Sequence, residues 1–193
     1  MDILINMLIY LIKITFDLYI LAIILRILIQ LVKVDHDAPL KEFVFNLTDI
    51  PLKLISKIIP KIGRFDTGAI LLIILLKILE LSLMDIVTGK IPHINGLIIW
   101  TSTSLLTQIL NLYFYLILFQ IFLGWLTPQH RTRAINTLNK LTCPLLKPLR
   151  KMIPSIAGFD LTPVVALILL QLITIAVIGP LTQLGMRLTF GMS

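Results

Sequence analysis

Four stretches of this chain are apolar for long enough to cross a bilayer: about Ile3 to Val32, Ala69 to Val87, Leu97 to Leu126 and Pro163 to Leu184. A hydrocarbon core about 30 Å thick takes roughly 20 helical residues, so these runs predict an all-α membrane protein with four transmembrane helices. The first and third are long enough that they must tilt or protrude past the headgroups. Asp2 stands where a signal peptide would carry positive charge, and no small-residue cleavage site follows, so the first run reads as a spanning helix. Composition agrees: with 58% hydrophobic and 14% charged residues and a mean hydropathy of +0.99, lipid must serve as part of the solvent.

Charge sets the expected orientation. Lys33, Lys41, Lys53, Lys57, Lys61 and Arg64 follow the first run, and Arg131, Arg133, Lys140, Lys147, Arg150 and Lys151 follow the third. These are twelve of the seventeen basic residues, whereas the short connection from Thr88 to Gly96 holds only Lys90. The positive-inside rule makes both long loops cytoplasmic and both termini periplasmic, or external.

The chain also repeats itself. An offset of 94 carries Tyr19 onto Tyr113, Ile27 onto Ile121, His36 onto His130 and Thr48 onto Thr142. The same offset carries Lys53 onto Lys147, Lys57 onto Lys151, Pro60 onto Pro154, Phe65 onto Phe159 and Asp66 onto Asp160. The unit of duplication is span, basic segment, span, which gives one repeat over residues 1–94 and another over 95–193. With an even number of spans in each, the two are parallel repeats.

Several of these residues carry a resemblance. Leu18-Tyr19, Arg26 and Gln30 in the first run, Trp125 closing the third, the phrase Leu145-Leu146-Lys147-Pro148-Leu149-Arg150-Lys151-Met152-Ile153-Pro154 and then Gly158-Phe159-Asp160 resemble the bacterial YggT family, also called YlmG. The resemblance covers nearly the whole chain. It implies a multi-pass protein of the bacterial inner membrane with roles around hyperosmotic tolerance, potassium homeostasis or cell division. In chloroplast relatives it implies nucleoid distribution and cytochrome b6f assembly. The sequence departs from the family pattern at Cys143, where an acidic residue often stands, and at Ile50 and Leu54, where the second copy has Pro144 and Pro148.

The repeated phrase is basic and amphipathic. At 100° per residue Lys140, Lys147, Arg150 and Lys151 share an arc of about 100°, opposite Leu138, Leu141, Leu145, Leu149 and Met152. Such a segment lies in the interface, with apolar side among acyl chains and basic side among anionic headgroups. Lys53, Lys57, Lys147, Arg150 and Lys151 are therefore the expected headgroup contacts; an orientation anchor is the plainer reading of the same charges. Pro144 and Pro148 predict a helix break near Thr142. Asp66 and Asp160 precede the next spans and read as helix N-caps or, alternatively, as a paired cation site.

Ionisable groups inside spans cost several kcal/mol unless neutralised. Lys13 and Asp17 are four apart and Lys77 and Glu80 three apart, so each pair can meet on one helix face. Arg26 is close enough to Val32 to snorkel toward the headgroups. The repeat puts Asn111 and Gln120 where the first copy has Asp17 and Arg26. Together these groups form either interhelical glue or the lining of a narrow ion route.

No catalytic constellation is present: there is no nucleophile elbow, glycine-rich phosphate loop or paired-histidine motif. One cysteine and three scattered histidines offer no metal-ligand spacing, so no cofactor or metal is expected. The formal charge of +7 sits among leucines beside the bilayer, which favours lipid headgroups over nucleic acid. A membrane-protein partner or a second copy of the chain is the other expected contact. The reading from sequence is thus a non-enzymatic structural, assembly or stress-tolerance protein, with ion handling as its alternative.

Overall fold

The computed structural model describes residues 2–34, 39–56, 66–88, 94–126, 133–153 and 160–190. All regular structure among them is helical: α1 (Asp2–Leu31), α2 (Pro39–Ser56), α3 (Thr67–Thr88), α4 (Ile94–Leu126), α5 (Arg133–Met152), α6 (Thr162–Ile173) and α7 (Gly179–Phe190). A single π-helical turn, Thr174–Ile178, joins α6 to α7. Three helical stretches are long and apolar enough to span a membrane: Ile3–Leu31, Gly96–Gly124 and Thr162–Thr189. The remaining run is the 22-residue α3, which carries Lys77, Glu80 and Asp85.

The order long helix, amphipathic helix, apolar helix occurs twice. In the first half α1 packs along α3, and α2 seats against both; in the second, α4 packs along α6 and α7 while α5 seats against α4 and α6. The first core gathers Ile20, Ile23 and Ile29 of α1 with Val44, Leu52, Ala69 and Leu72. The second is smaller, with Ile117 of α4 against Leu146, Ala166 and Leu170. Most remaining apolar side chains of α1, α4 and α6 point outward, as in helices whose solvent is lipid.

Helix ends follow local chemistry. The Asp66 carboxylate accepts from the Ala69 amide at 3.3 Å, three residues into the start of α3, the geometry of an N-cap. At α6 the expectation is corrected: the N-cap position is Leu161, which gives no side-chain bond, and Asp160, one residue earlier, accepts from the Thr162 amide at 3.0 Å. At its other end α1 closes with Val34 N–H on the Ile29 carbonyl and Lys33 N–H on the Gln30 carbonyl, the Schellman pattern. Lys33 occupies the left-handed position of that motif, φ 52°. Glycine usually stands there, and a side chain costs about 1–2 kcal/mol.

Two expectations about the basic phrase are corrected. No break occurs near Thr142: α5 runs unbroken from Arg133 to Met152 with Pro144 and Pro148 inside it. The prolines are four apart and both lie on the exposed side, so the donors they lack are missing on the side away from the protein, and the buried side of the helix keeps its bonds. The apolar face of α5 is also not left for acyl chains. Leu141 and Leu146 are buried against protein, while Met152, at the helix end, is 79% exposed.

In the last apolar helix a π-helical turn comes just before its internal proline, Pro180. Gly179 N–H reaches back five residues to the Thr174 carbonyl, and the wider turn removes the clash that the Pro180 ring would make with the preceding turn. Beyond it α7 runs close against α4. A Cβ on Gly96 would collide with the backbone of Leu188 and Thr189, and one on Gly185 would sit 2.8 Å from the Trp100 nitrogen. Gly185 and Thr189 are four apart, a small-residue stripe that lets membrane helices touch backbone to backbone.

Candidate functional site

Two polar knots occupy the apolar helices. The upper one is centred on Arg26, which is only 7% exposed. Its Nη1 donates to Thr48 Oγ1 at 2.8 Å and Asp49 Oδ1 at 2.6 Å, and lies 3.4 Å from the Phe45 carbonyl. The guanidinium carbon stacks 4.2 Å from the Phe45 ring centroid, a cation–π contact. Arg26 therefore does not snorkel: it pins α1 to α2. On the outer side Lys53 lies 3.6 Å from the same Asp49 carboxylate. The hydrogen bond from Arg26, with charges from both basic residues, holds the Asp49 carboxyl below its ordinary range.

The corresponding place in the second half is neutral. Thr142 Oγ1 lies 2.6 Å from Gln120 Oε1, and Gln120 Nε2 donates to Asn139 Oδ1 at 2.8 Å. Gln120 occupies the repeat position of Arg26, Thr142 that of Thr48 and Cys143 that of Asp49. Both members of the ion pair are thus replaced together by uncharged groups. Thr48 and Thr142 are each fully buried.

The lower knot lies halfway along α1, α3 and α4. Lys77 Nζ is 2.9 Å from Asp17 Oδ1 on α1 and 2.8 Å from Glu80 Oε2 on its own helix. Gln108 of α4 donates to the same Asp17 oxygen. Lys77 and Glu80 are 4% and 1% exposed by side chain. One ammonium thus joins two carboxylates and two helices, and Asp17 adds a third helix through Gln108. The intrahelical pairing of Lys13 with Asp17 expected from spacing gives way to pairing between helices, because Lys13 is on the exposed side of α1. Beside the knot is a cavity of about 270 Å³ with Tyr10, Lys13, Asp17, Gln108, Asn111 and Tyr115 on its walls. The Gln108 side-chain oxygen is buried without a hydrogen-bond partner among the described residues.

Lys147, Arg150 and Lys151 are exposed on α5, as is Lys53 on α2; Lys57 lies outside the described residues, as do Pro60 and Pro154. Arg150 Nε donates to Asp160 at 2.9 Å, tying α5 to the start of α6. Partial burial works against the ionised Asp160, but hydrogen bonds from Thr162 and the charge of Arg150 outweigh it and hold the carboxyl below its ordinary range. Asp66 and Asp160 each sit at their own helix start. Among the described residues no group of three histidine, cysteine or acidic side chains is placed to hold a metal.

Asp49 was not singled out by sequence reasoning. The signal lay in the repeat itself: Arg26 becomes Gln120 in the same step as Asp49 becomes Cys143. Thr48, Asp49 and Leu52 also share one face of an amphipathic helix.

The CCB3/YggT family pattern matches the chain twice, over residues 5–87 and 99–181. The chain belongs to the CCB3/YggT family. The two matches are offset by 94 at both ends, the spacing that relates Arg26 to Gln120. Among family relatives, an uncharacterized protein of Pseudomonas aeruginosa is 32% identical over 178 residues, covering 91% of this chain and 90% of its own. The uncharacterized protein YggT of Escherichia coli K12 is 29% identical over 189 residues, 97% of each chain. An uncharacterized protein of Haemophilus influenzae is 30% identical over 154 residues, 78% of this chain and 80% of its own. No solved structure matches this CCB3/YggT chain.

Proposed function

We propose that this CCB3/YggT chain is a non-enzymatic protein of the bacterial inner membrane that crosses it four times, as two parallel repeats. In this reading α1, α3, α4 and the α6–α7 helix are the spans, both termini are periplasmic, and α2 and α5 lie on the cytoplasmic leaflet. Its role is structural: it presents two basic helices to anionic lipid, for assembly or stress tolerance in the membrane, and it can hold a membrane-protein partner or a second copy there.

The observation that carries the reading is how α2 and α5 are fixed. Each is locked to the long helix before it by a buried threonine, Thr48 beside Arg26 and Thr142 beside Gln120. Each turns lysines outward, Lys53 on one and Lys147 and Lys151 on the other. Each exposed lysine near an anionic leaflet contributes about 1 kcal/mol of attraction. The helices differ in the rest of the outer face. α2 exposes Phe43, Leu47, Ile50 and Leu54 in steps of four, three and four, a strip suited to acyl chains, whereas α5 exposes its two prolines.

Topology is the direct test. A reporter fused after Ser193 should be active only in its periplasmic form, and one inserted at Gln129 only in its cytoplasmic form. The opposite pattern removes both the orientation and the leaflet contact.

A second reading, ion handling, is favoured by one observation: the Asp17–Lys77–Glu80 knot borders a cavity that also holds Gln108 and Asn111. Intramembrane charges of this kind often mark ion paths. Sealed liposomes containing the purified protein decide it, since a path dissipates a potassium gradient and a structural knot leaves the gradient intact.

A further inference from the structure

Between the C-terminal end of α1 and the outer face of α5 lies an open groove of about 860 Å³. Its charged wall comes from both halves of the chain, with Lys33 from the close of α1 and Lys140, Lys147 and Arg150 from α5, and Asn136 and Asn139 between them. None of its lining residues is acidic. The repeat position at which the first half places a carboxylate, Asp49, is taken in this wall by Cys143. The second half lacks the arginine as well as the carboxylate, so the positive charge of this wall comes from its lysines, Lys33, Lys140 and Lys147, and from Arg150, which is paired with Asp160 outside the lining.

Lys33 points the same way. It holds the left-handed position of the α1 cap, φ 52°, where glycine is free of strain and lysine is not. Strain of this kind is retained where the side chain has a use, and this side chain forms part of the groove. Arg150 is oriented by its Nε bond to Asp160. Ammonium and guanidinium groups around amide donors recognise phosphate oxygens, and the volume is within the usual range for small-ligand sites.

We propose that this groove is a phosphate-binding site clasped by the two halves of the chain. The phosphate belongs either to the headgroup of an anionic phospholipid or to a dissolved phosphate compound. The lipid source rests on the leaflet placement of α5 proposed above, and the dissolved source does not need it.

Cys143 is the only cysteine in the chain, exposed and on the groove wall, so its rate of maleimide labelling reports occupancy. The full chain is reconstituted in nanodiscs of phosphatidylglycerol, in phosphatidylcholine, and in phosphatidylcholine with inorganic phosphate at matched ionic strength. Occupancy at ten times the dissociation constant slows labelling by roughly tenfold. Slowing in phosphatidylglycerol alone assigns a lipid headgroup, and slowing by inorganic phosphate assigns the dissolved source. The double variant Lys33→Gln/Lys147→Gln should label at the fast rate everywhere, while Arg133→Gln, which removes a charge from α5 outside the groove, should keep the protection.

Lys33→Gly supplies the variant that folding cannot spoil: it relieves the strained cap, so it should melt no lower than the parent and yet lose much of the protection. Equal labelling rates in all three preparations overturn the site. So does equal loss of protection in Arg133→Gln and in the double variant, which would leave only general attraction to the leaflet. Protease sensitivity of the cytoplasmic loops in the same nanodiscs reports that general attraction separately, so the groove and the leaflet contact can fail independently.

Discussion

Arg26 donates to Thr48 across 2.8 Å, and 94 residues later Gln120 and Thr142 meet at 2.6 Å in the same positions of the repeat. The contact between long helix and amphipathic helix is thus kept while its charge is dropped. In the first half the arginine needs an acid, and Asp49 supplies it at 2.6 Å. In the second half an amide satisfies the threonine without one.

Breaking this lock on one side should cost more than exchanging it whole. Asp49→Ala leaves a buried guanidinium with one charge-assisted bond fewer, a loss of about 1.5–3 kcal/mol. The double variant Arg26→Gln/Asp49→Cys copies the neutral pair of the second half and should recover most of that loss. Thermal unfolding in detergent measures both, and a double variant weaker than Asp49→Ala would show that the charge itself is required.

The same carboxylates predict a response to acid. Asp49 and Asp160 both have folded-state pKa values below the ordinary range. A depressed carboxylate contributes stability that is fully present above its unfolded pKa, near 4, and is lost as pH falls through the lower folded value. The melting temperature should therefore be flat in these groups from pH 7 to about pH 5 and decline below about pH 4. Asp160→Asn should flatten part of that decline, and an unchanged acid profile would count against the Arg150–Asp160 tie.

Lys77 should be the least replaceable charge in the chain. Lys77→Leu strands Asp17 and Glu80 among apolar helices, and losing one partner of a buried pair costs about 3–5 kcal/mol. Because the lysine serves two acids, Lys77→Leu/Glu80→Leu still leaves Asp17 without its cation. Only the triple variant with Asp17→Asn should return to near-parent stability. If that triple variant is stable but abolishes a potassium flux seen in the parent, the knot belongs to an ion path.

The seam of α4 and α7 should resist even a methyl group. Gly185→Ala places carbon against the Trp100 backbone, and Gly96→Ala against that of Thr189. Overpacking of this kind costs about 1–3 kcal/mol. Gly124→Ala, whose added carbon would meet nothing within 4 Å, should be neutral. Comparison of the three melting temperatures checks the seam.

Apolar helices and the repeat were legible in the sequence because they depend on local or periodic quantities. Hydropathy places the apolar helices and the offset of 94 survives in identities. Of the two aspartates expected as caps, Asp66 bonds the Ala69 amide in the N-cap manner, whereas Asp160 lies one residue before the N-cap position of α6, Leu161. Partners were less legible, because spacing along one helix describes only that helix. Lys77 and Glu80 stand three apart and do meet, whereas Asp17 leaves Lys13 for Lys77, 60 residues away. Arg26 turns inward because α2 folds back over α1 and presents buried Thr48 and half-buried Asp49 there. The prolines of α5 suggested a break from covalent chemistry alone, but packing of Leu141 and Leu146 holds the buried side of the helix together. Hydropathy decided where the apolar helices lie; the burial of one helix against another decided that α5 continues through its prolines and which charges are satisfied, and by whom.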